Sequence, residues 1–152
     1  MKVIEYLKNQ KVPFELHEHS PTYTAQEVAA EEHVSGNFIA KTVLVRADGK
    51  YVLCVLPASY KLDLAKVARI VKAKDVRLAD ETELAKIFPD TEVGAEPPFG
   101  NLYDISTLVD DHLVNEEHII FQAGTHRQAV KIKYHDYARL AQPKTADLAV
   151  HL

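Results

Sequence analysis

The sequence has little of several residues that mark particular classes of protein. It has one cysteine, Cys54, so no internal disulfide can form, and nothing in its cysteine content argues against a reducing cytosol. It has no run of about 20 apolar residues that would cross a bilayer. The start, MKVIEYLKNQKVPF, lacks the apolar core of a secretory signal. Basic residues number 18 against 22 acidic ones. This balance disfavours a generic nucleic-acid coat protein, which neutralises phosphates with Lys and Arg.

The composition predicts one soluble globular domain spanning residues 1–152. Hydrophobic residues make up 47% of the chain and charged residues 26%, which is not the pattern of a disordered protein. The length allows a single core to form without metals or disulfides. Residues 143–152 are expected to form a weakly held tail.

Local patterns predict helices and strands in irregular alternation. The strongest signal is NFIAKTVLVRA, Asp48-Gly49 and KYVLCVLPA, which predicts a β-hairpin because Asp-Gly favours a tight turn. Thr24 and Asp80 are typical N-caps of helices. Other strands are predicted at FELHEH, NLYDIS, HIIFQAG and QAVKIKY. The expected fold is α/β (α+β), with a mixed, mainly antiparallel sheet or distorted barrel and flanking helices.

Motifs of several common active sites are missing. The sequence contains no HExxH, CxxC, GxSxG, P-loop or GxGxxG. His17 and His19 share a strand face but have no further ligands at a suitable spacing, so no metal site is predicted. Cys54 lies in an apolar strand and is expected to be buried and unreactive. The basic segment 127–139 is interpreted as a solvated strand face.

Lys41 is a charged residue in a largely apolar strand. In NFIAKTVLV it shares one face with Ile39, Val43 and Val45, and the opposite face is also mainly apolar. A buried ammonium group is costly unless it reaches water, a partner or a ligand. Lys41 therefore either extends past the sheet edge to water or lies at the rim of a cavity that binds an anion or a polar ligand.

The segment GAEPPFGN, residues 94–101, combines glycines and prolines in the middle of the chain. Glycine allows close approach to the main chain, and proline reduces the entropy that is lost when a loop is held in one shape. The loop is either a rigid connector or a row of backbone donors beside a pocket. A third element is AGTHRQ, residues 123–128, a turn expected to project His126 from the end of a sheet.

Three elements follow one another in an order typical of one family. They are IAKTVLVRADGKYVLCVLPA with Lys41, the G-x-x-x-P loop from Gly94 to Pro98 continuing as Phe99-Gly100, and AGTHRQAV with Gly124 and His126. Further similar segments are HEHSPTYTAQEVA near the start, KLDLAKVARIV, and HDYARL near the end. Together they resemble the YbaK/prolyl-tRNA synthetase-associated domain family, whose members hydrolyse mischarged aminoacyl-tRNA. The resemblance covers nearly the whole chain and rests on order and spacing, since no single motif is specific.

The resemblance implies a mixed α/β fold whose pocket accepts the aminoacylated terminal adenosine of tRNA. It implies ester hydrolysis without a metal, another cofactor or a covalent intermediate, assisted by backbone dipoles and the vicinal ribose hydroxyl. Lys41 would contact the terminal nucleotide or its phosphate. The implied catalytic residues are Lys41, Gly94, Pro98 and His126. The implied substrate-binding residues are His19, Tyr23, Glu96, Pro97, Phe99, Gly100, Asn101 and Gly124.

The function that the resemblance implies is trans-editing by a free-standing cytoplasmic deacylase. The expected substrate carries a small amino acid such as Ala, Cys or Ser, with tRNA for proline as a candidate acceptor. A separate deacylase is useful because a synthetase cannot strongly reject an amino acid smaller than its own. One missing methylene changes the binding free energy by only about 1–3 kcal/mol. The expected partners are the acceptor end of aminoacyl-tRNA and an aminoacyl-tRNA synthetase, and no membrane or DNA is expected.

Glu96 and Pro97 depart from the family's loop, whose middle positions are often small. Glu96 either points to solvent, attracts the substrate's α-ammonium group or selects a polar side chain. These two residues keep a second function open, a catalytically silent module that binds tRNA, a synthetase or another ligand. A third possibility is a hydrolase for another small activated ester.

Overall fold

A computed structural model describes residues 2–22 and 24–152. Its helices are α1 (Lys2–Asn9), α2 (Ala25–Glu31), α3 (Leu64–Val71), α4 (Glu81–Ile87), α5 (Asp111–Val114) and α6 (Tyr134–Ala141). Its strands are β1 (Phe14–Glu18), β2 (Ala40–Ala47), β3 (Lys50–Pro57), β4 (Tyr60–Leu62), β5 (Val76–Leu78), β6 (Ser106–Asp110), β7 (His118–Gln122), β8 (Gln128–Lys133), β9 (Lys144–Ala146) and β10 (Ala149–His151). Short 3-10 turns occupy Gly36–Phe38 and Gly100–Tyr103.

The central sheet has the strand order β5-β2-β3-β6-β9. Strands β2 and β3 form the predicted antiparallel hairpin, and its turn residues Asp48 and Gly49 have φ angles of 48° and 84°. Positive φ at both positions is what a tight hairpin turn requires, and it explains the Asp-Gly pair. Strand β6 adds to β3 in parallel, and β9 adds to β6 in parallel.

A second sheet, with the order β1-β8-β7, is antiparallel throughout. It meets the start of β2 through a single bridge between Ile39 and Ile120. A third pair, β4 with β10, is also antiparallel. The prediction of a mixed, mainly antiparallel α/β fold is therefore confirmed.

The main core lies where the second sheet meets α1 and α6. Phe99 is fully buried there, and its ring makes edge contacts with Tyr6, Phe121 and Tyr137 at centroid distances of 6.0, 5.7 and 5.2 Å. Burying an aromatic ring among others stabilises a core both through the area removed from water and through edge-to-face contacts. The Phe99 cluster therefore anchors the C-terminal end of the Gly94–Pro98 loop.

Two predicted caps are present at the helix starts. The Thr24 hydroxyl accepts a hydrogen bond from Glu27 N at 3.1 Å at the start of α2. Asp80 and Glu83 form a reciprocal capping box at the start of α4. Each cap satisfies amide groups that the first helical turn leaves without a partner.

Two segments differ from the sequence expectations. The run NLYDIS does not form one strand, because residues 100–103 make a 3-10 turn and β6 begins only at Ser106. Residues 143–152 are not a weakly held tail, because β9 and β10 pair with β6 and β4 and Leu148 is fully buried between them. In the described residues, no helix has the length and apolar character needed to cross a membrane.

Candidate functional site

A cavity of about 100 Å³ lies between α2, the start of β2 and the Gly94–Pro98 loop. Its wall combines apolar side chains with a few polar and charged ones, which is the usual make-up of a small-ligand site. The lining residues are Ala25, Gln26, Val28, Ile39, Ala40, Lys41, Thr42, Gly94, Glu96 and Gln122.

Lys41 supplies the cationic group of this cavity. Its position on β2, opposite Leu56 of β3, is fixed by the hairpin register. The side chain is half-buried, and Nζ lies 3.5 Å from the carbonyl oxygen of Ala58. Burial lowers the pKa of Lys41, because the ammonium group loses hydration. Of the two sequence interpretations, the structure supports the cation at a cavity rim.

Glu96 supplies a carboxylate to the same cavity, and the expectation that it points to solvent is wrong. Glu96 is only 6% exposed. The carboxylate accepts hydrogen bonds from Gly94 N, with Oε2 at 2.7 Å and Oε1 at 3.2 Å. Burial raises the pKa of Glu96, and nearby loop amides oppose that rise only in part. The loop thus holds a desolvated carboxylate at the cavity.

Main-chain hydrogen bonds join the Gly94–Pro98 loop to the turn between β7 and β8. Glu92 N donates to Gly124 O at 2.8 Å, and Gly124 N donates to Ala95 O at 2.9 Å. Gly94 has a φ of 91°, and an added Cβ atom would lie 3.3 Å from Cε1 of His126. Both the backbone angle and the close imidazole therefore favour glycine at position 94.

His126 lies behind the loop and is 6% exposed, so it does not project from the end of the sheet as expected. Its Nε2 is 2.8 Å from Val93 O, and its Nδ1 is 2.8 Å from Thr22 O and 3.1 Å from Gln122 Oε1. Its backbone N donates to Glu92 Oε1 at 2.9 Å. The ring is thus beside the cavity wall, where it connects the loop to Gln122 and to the chain before α2.

The other predicted residues fall into two groups. Pro97, Pro98 and Gly124 support the loop, and Pro98 O accepts a hydrogen bond from the buried Tyr137 hydroxyl at 2.8 Å. The remaining described ones are not in the wall of the cavity. Phe99 is in the core, Gly100 N donates to Thr107 Oγ1, the Asn101 side chain donates to Leu140 O, and His19 Nδ1 contacts Ser20 O. Tyr23 lies outside the described residues.

Sequence reasoning missed two glutamines of the cavity wall. The Gln26 side chain donates to Ala58 O at 3.1 Å, the same carbonyl that Lys41 approaches. Gln122 ends β7 and contacts His126. The available signal for Gln122 was a polar residue directly after the apolar run Ile119, Ile120 and Phe121, at the end of a predicted strand.

Two other predicted features have ordinary surroundings. The ring nitrogens of His17 contact Glu32 at 2.7 Å and Glu15 at 3.1 Å, and the hydrogen bond with Glu15 is the main cause of its raised pKa. Across residues 2–22 and 24–152, no three His, Cys, Asp or Glu side chains are grouped to hold a metal ion. Burial raises the pKa of Cys54 to about 12, as expected for an unreactive thiol.

The cavity therefore presents charges of opposite sign in a small space. Lys41 suits a phosphate, a carbonyl oxygen or another electron-rich group, and Glu96 suits an ammonium group. Such a site fits a ligand that carries a positive group a short distance from a polar or anionic one.

The comparisons with known proteins agree on one family. The model of the aminoacyl-tRNA editing domain matches residues 19–140. The prolyl-tRNA editing protein ProX of Acetoanaerobium sticklandii is 27% identical over 146 residues, covering 92% of this chain and 88% of ProX. The proline–tRNA ligase of Dehalococcoides mccartyi is 29% identical over 128 residues, covering 84% of this chain but 22% of the ligase.

Solved structures show the same fold. The hypothetical protein APE2540 superposes with a TM-score of 0.89 at 24% identity, covering 99% of this chain and 100% of that one. A candidate trans-editing enzyme for prolyl-tRNA synthetase superposes with a TM-score of 0.87 at 22% identity, covering 98% and 95%. The resemblance, and with it the expectation of a deacylase, is confirmed at the level of the family. This chain belongs to the aminoacyl-tRNA editing domain family.

Proposed function

We propose that this chain hydrolyses, in trans, the ester bond of a mischarged aminoacyl-tRNA. The observation that carries the proposal is the pairing of Lys41 and Glu96 in one cavity of about 100 Å³. The aminoacylated terminal adenosine of tRNA carries an α-ammonium group on its amino acid and, on its 5′ side, the phosphate that links it to the rest of the tRNA. The two charges of the cavity match the two ends of this substrate.

Each charged residue receives a role from its position. Lys41 binds the phosphate or the ribose side of the terminal nucleotide through a charge-assisted hydrogen bond. Glu96 binds the α-ammonium group of the amino acid. Gly94 N already donates to the Glu96 carboxylate, so the loop's first task is to hold this carboxylate in place. His126 positions the loop from behind and is assigned no contact with the substrate.

The reaction needs no nucleophilic side chain, because an aminoacyl ester is already activated. Water adds to the carbonyl carbon, the bond from that carbon to the ribose oxygen breaks, and the ribose oxygen takes up a proton. In the Gly94–Pro98 loop, Gly94 N already donates to Glu96 and Ala95 N to Glu92 O. The two prolines of the loop have no N–H. Stabilisation of the charge that develops on the carbonyl oxygen is therefore assigned to the vicinal ribose hydroxyl and to the positioning of the substrate. Positioning and electrostatics then supply most of the catalysis.

The size of the cavity favours a small amino acid. Its volume of about 100 Å³ suits Ala, Cys or Ser, and the relative ProX is named for prolyl-tRNA editing. We therefore propose tRNA for proline as the first acceptor to test and a cytoplasmic location. Similarity to a segment of proline–tRNA ligases makes a synthetase a reasonable partner.

The first experiment is a deacylation panel with the purified chain. tRNA for proline is charged separately with Ala, Cys, Ser and Pro, and loss of the ester is followed against a control without protein. Turnover of one mischarged member supports the proposal. Binding without turnover of any member would instead assign the chain as a tRNA-binding module.

Substitution of Lys41 tests the site itself. Lys41→Ala is expected to lower kcat/KM about 100-fold, since a charge-assisted hydrogen bond contributes roughly 1.5–3 kcal/mol. Lys61→Ala, at an exposed position on β4, is the matched control and is expected to act like the wild type. Equal activity of Lys41→Ala and wild type would contradict the assignment.

A further inference from the structure

A groove of about 260 Å³ lies beside the cavity and has no role in the function proposed above. It combines apolar surface with two residues that can be cationic and one carboxylate. Its lining residues are Val34, Phe38, Glu117, His118, Ile120 and Lys131, and we call it the Phe38 groove.

The groove and the cavity are lined by neighbouring residues of the same two elements. Ile39 lines the cavity, and its chain neighbour Phe38 lines the groove. On β7, Gln122 lines the cavity, and Ile120, on the same face of the strand, lines the groove. Residues two apart on a strand are separated by about 7 Å. A stacked nucleic-acid strand advances about 3.4 Å per nucleotide, so the groove is one or two nucleotides away from the cavity.

Phe38 has the placement of a stacking platform. It is 40% exposed although it is large and apolar. It ends the 3-10 turn Gly36–Phe38, in which Phe38 N donates to Ser35 O at 3.1 Å and Asn37 N donates to the Ser35 hydroxyl at 3.2 Å. Ile120 is 4% exposed and forms the floor of the groove. The main chain that carries Phe38 is thus fixed by local hydrogen bonds, while part of the side chain remains exposed and accessible to a ligand.

The charges at the rim suit one bound nucleotide better than a long duplex. Lys131 and His118 line the groove and can approach a phosphate. Glu117 lines it as well, and Glu15 lies close enough to Lys131 for an attractive interaction. This mixed rim provides limited phosphate attraction, so the aromatic surface must supply much of the binding.

We propose that the Phe38 groove binds an unpaired base next to the terminal adenosine of tRNA, by stacking on Phe38 with Lys131 at the adjoining phosphate. The inference rests on the proposed function, because it takes the terminal adenosine to be at the cavity. Stacking on an aromatic side chain does not discriminate between bases. No discrimination is needed at the acceptor end, because its last nucleotides are the same in all tRNAs.

Binding can be tested without catalysis. The probe is the trinucleotide CCA with pyrrolocytosine, a fluorescent cytosine analogue, in the middle position. Stacking on the wild-type chain is expected to quench its fluorescence. Phe38→Ala is expected to weaken binding about tenfold, whereas binding of adenosine monophosphate stays within twofold. Because no ester is cleaved, this result does not depend on turnover.

Two further variants separate stacking from a general loss of apolar surface. Phe38→Tyr retains an aromatic face and is expected to bind CCA as the wild type does, whereas Phe38→Leu is expected to bind as weakly as Phe38→Ala. Leu78→Ala, at a 53% exposed position on β5, is the control for removal of exposed apolar surface. Equal CCA binding by wild type and Phe38→Ala would overturn the proposal.

A kinetic experiment uses alanyl-tRNA for proline and alanyl-adenosine as paired substrates. Phe38→Ala is expected to raise KM about tenfold for the tRNA and to leave KM for alanyl-adenosine unchanged. An equal change in KM for both substrates would place Phe38 at the cavity and overturn the proposal for the groove. An effect that requires an added synthetase would assign the groove to a protein partner and would also overturn it. If the wild type shows no turnover, the proposed function is contradicted. The CCA binding measurement still shows whether the Phe38 groove binds a base.

Discussion

Two carboxylates, those of Asp110 and Glu96, lie out of solvent in different surroundings. Asp110 is fully buried, and its oxygens accept hydrogen bonds from Leu148 N at 2.9 Å, His112 N at 3.1 Å and His112 Nδ1 at 2.7 Å. Glu96 accepts from its own loop and also lines a cavity. Both carboxylates are held by groups of their own chain, but only Glu96 also lines a cavity, so Asp110 serves the fold and Glu96 can in addition serve a ligand.

The largest expected effect comes from Asp110→Asn. The amide oxygen can still accept from Leu148 N, but the new NH₂ group faces the two His112 donors. Breaking a buried, charged network costs about 3–5 kcal/mol, so we expect the free energy of unfolding to fall by about 3 kcal/mol. Urea unfolding followed by circular dichroism measures it.

Asp111→Asn is the control for this change, because Asp111 is the exposed neighbour at the start of α5. Its unfolding free energy is expected to stay within about 0.5 kcal/mol of wild type. If Asp110→Asn is as stable as Asp111→Asn, the assignment of a structural role to Asp110 is contradicted. Where the Asp110 variant remains folded, its kcat/KM should stay close to wild type.

A smaller effect is expected from Glu96→Gln, and it should fall on activity and not on stability. Loss of the negative charge weakens binding of the α-ammonium group, and we expect kcat/KM to fall about tenfold. Stability is expected to be unchanged or slightly higher, because a buried charge is removed. Deacylation kinetics and urea unfolding are measured on the same preparations.

A substrate with a neutral amine provides the matched control. N-acetylalanyl-tRNA has no ammonium group, so wild type and Glu96→Gln are expected to hydrolyse it at similar rates. If Glu96→Gln affects both substrates equally, Glu96 does not recognise the ammonium group.

The smallest expected effect is a difference in how stability depends on pH. Burial raises the pKa of Glu96 above the ordinary value of 4.5. The stability that comes from this raised pKa is complete below pH 4.5 and is lost as pH rises through the folded-state pKa. Glu96→Gln has no such loss, so the stability of the variant relative to wild type should grow with pH. Urea unfolding between about pH 4 and pH 8 tests this, and a constant difference would contradict it.

Features encoded by neighbouring residues could be predicted from the sequence. The β2–β3 hairpin followed from Asp48-Gly49, and the starts of α2 and α4 followed from their cap residues, because each depends on contacts within a few residues. Lys41 was identified by simple alternation along one strand. These signals are local, so a single sequence contains them in full.

Features that depend on distant pairing could not be predicted in this way. Strands β9 and β10 are held by β6 and β4, which lie far away in the sequence. The burial of Glu96 requires the main chain at Gly94 together with packing between α2 and β2. The family resemblance correctly indicated the loop, but it also suggested substrate contacts for Phe99 and Asn101, whose side chains contact α1 and α6 instead.

The hydrogen bonds that fix the Gly94–Pro98 loop to the turn between β7 and β8 use main-chain atoms at Glu92, Ala95 and Gly124. Main-chain donors and acceptors are the same for almost every amino acid. None of these bonds uses the Glu96 side chain, so position 96 can be changed while they are preserved. This separation makes the loop a natural place to alter amino-acid selectivity, both for evolution and for a protein engineer, with Glu96 as the first position to vary.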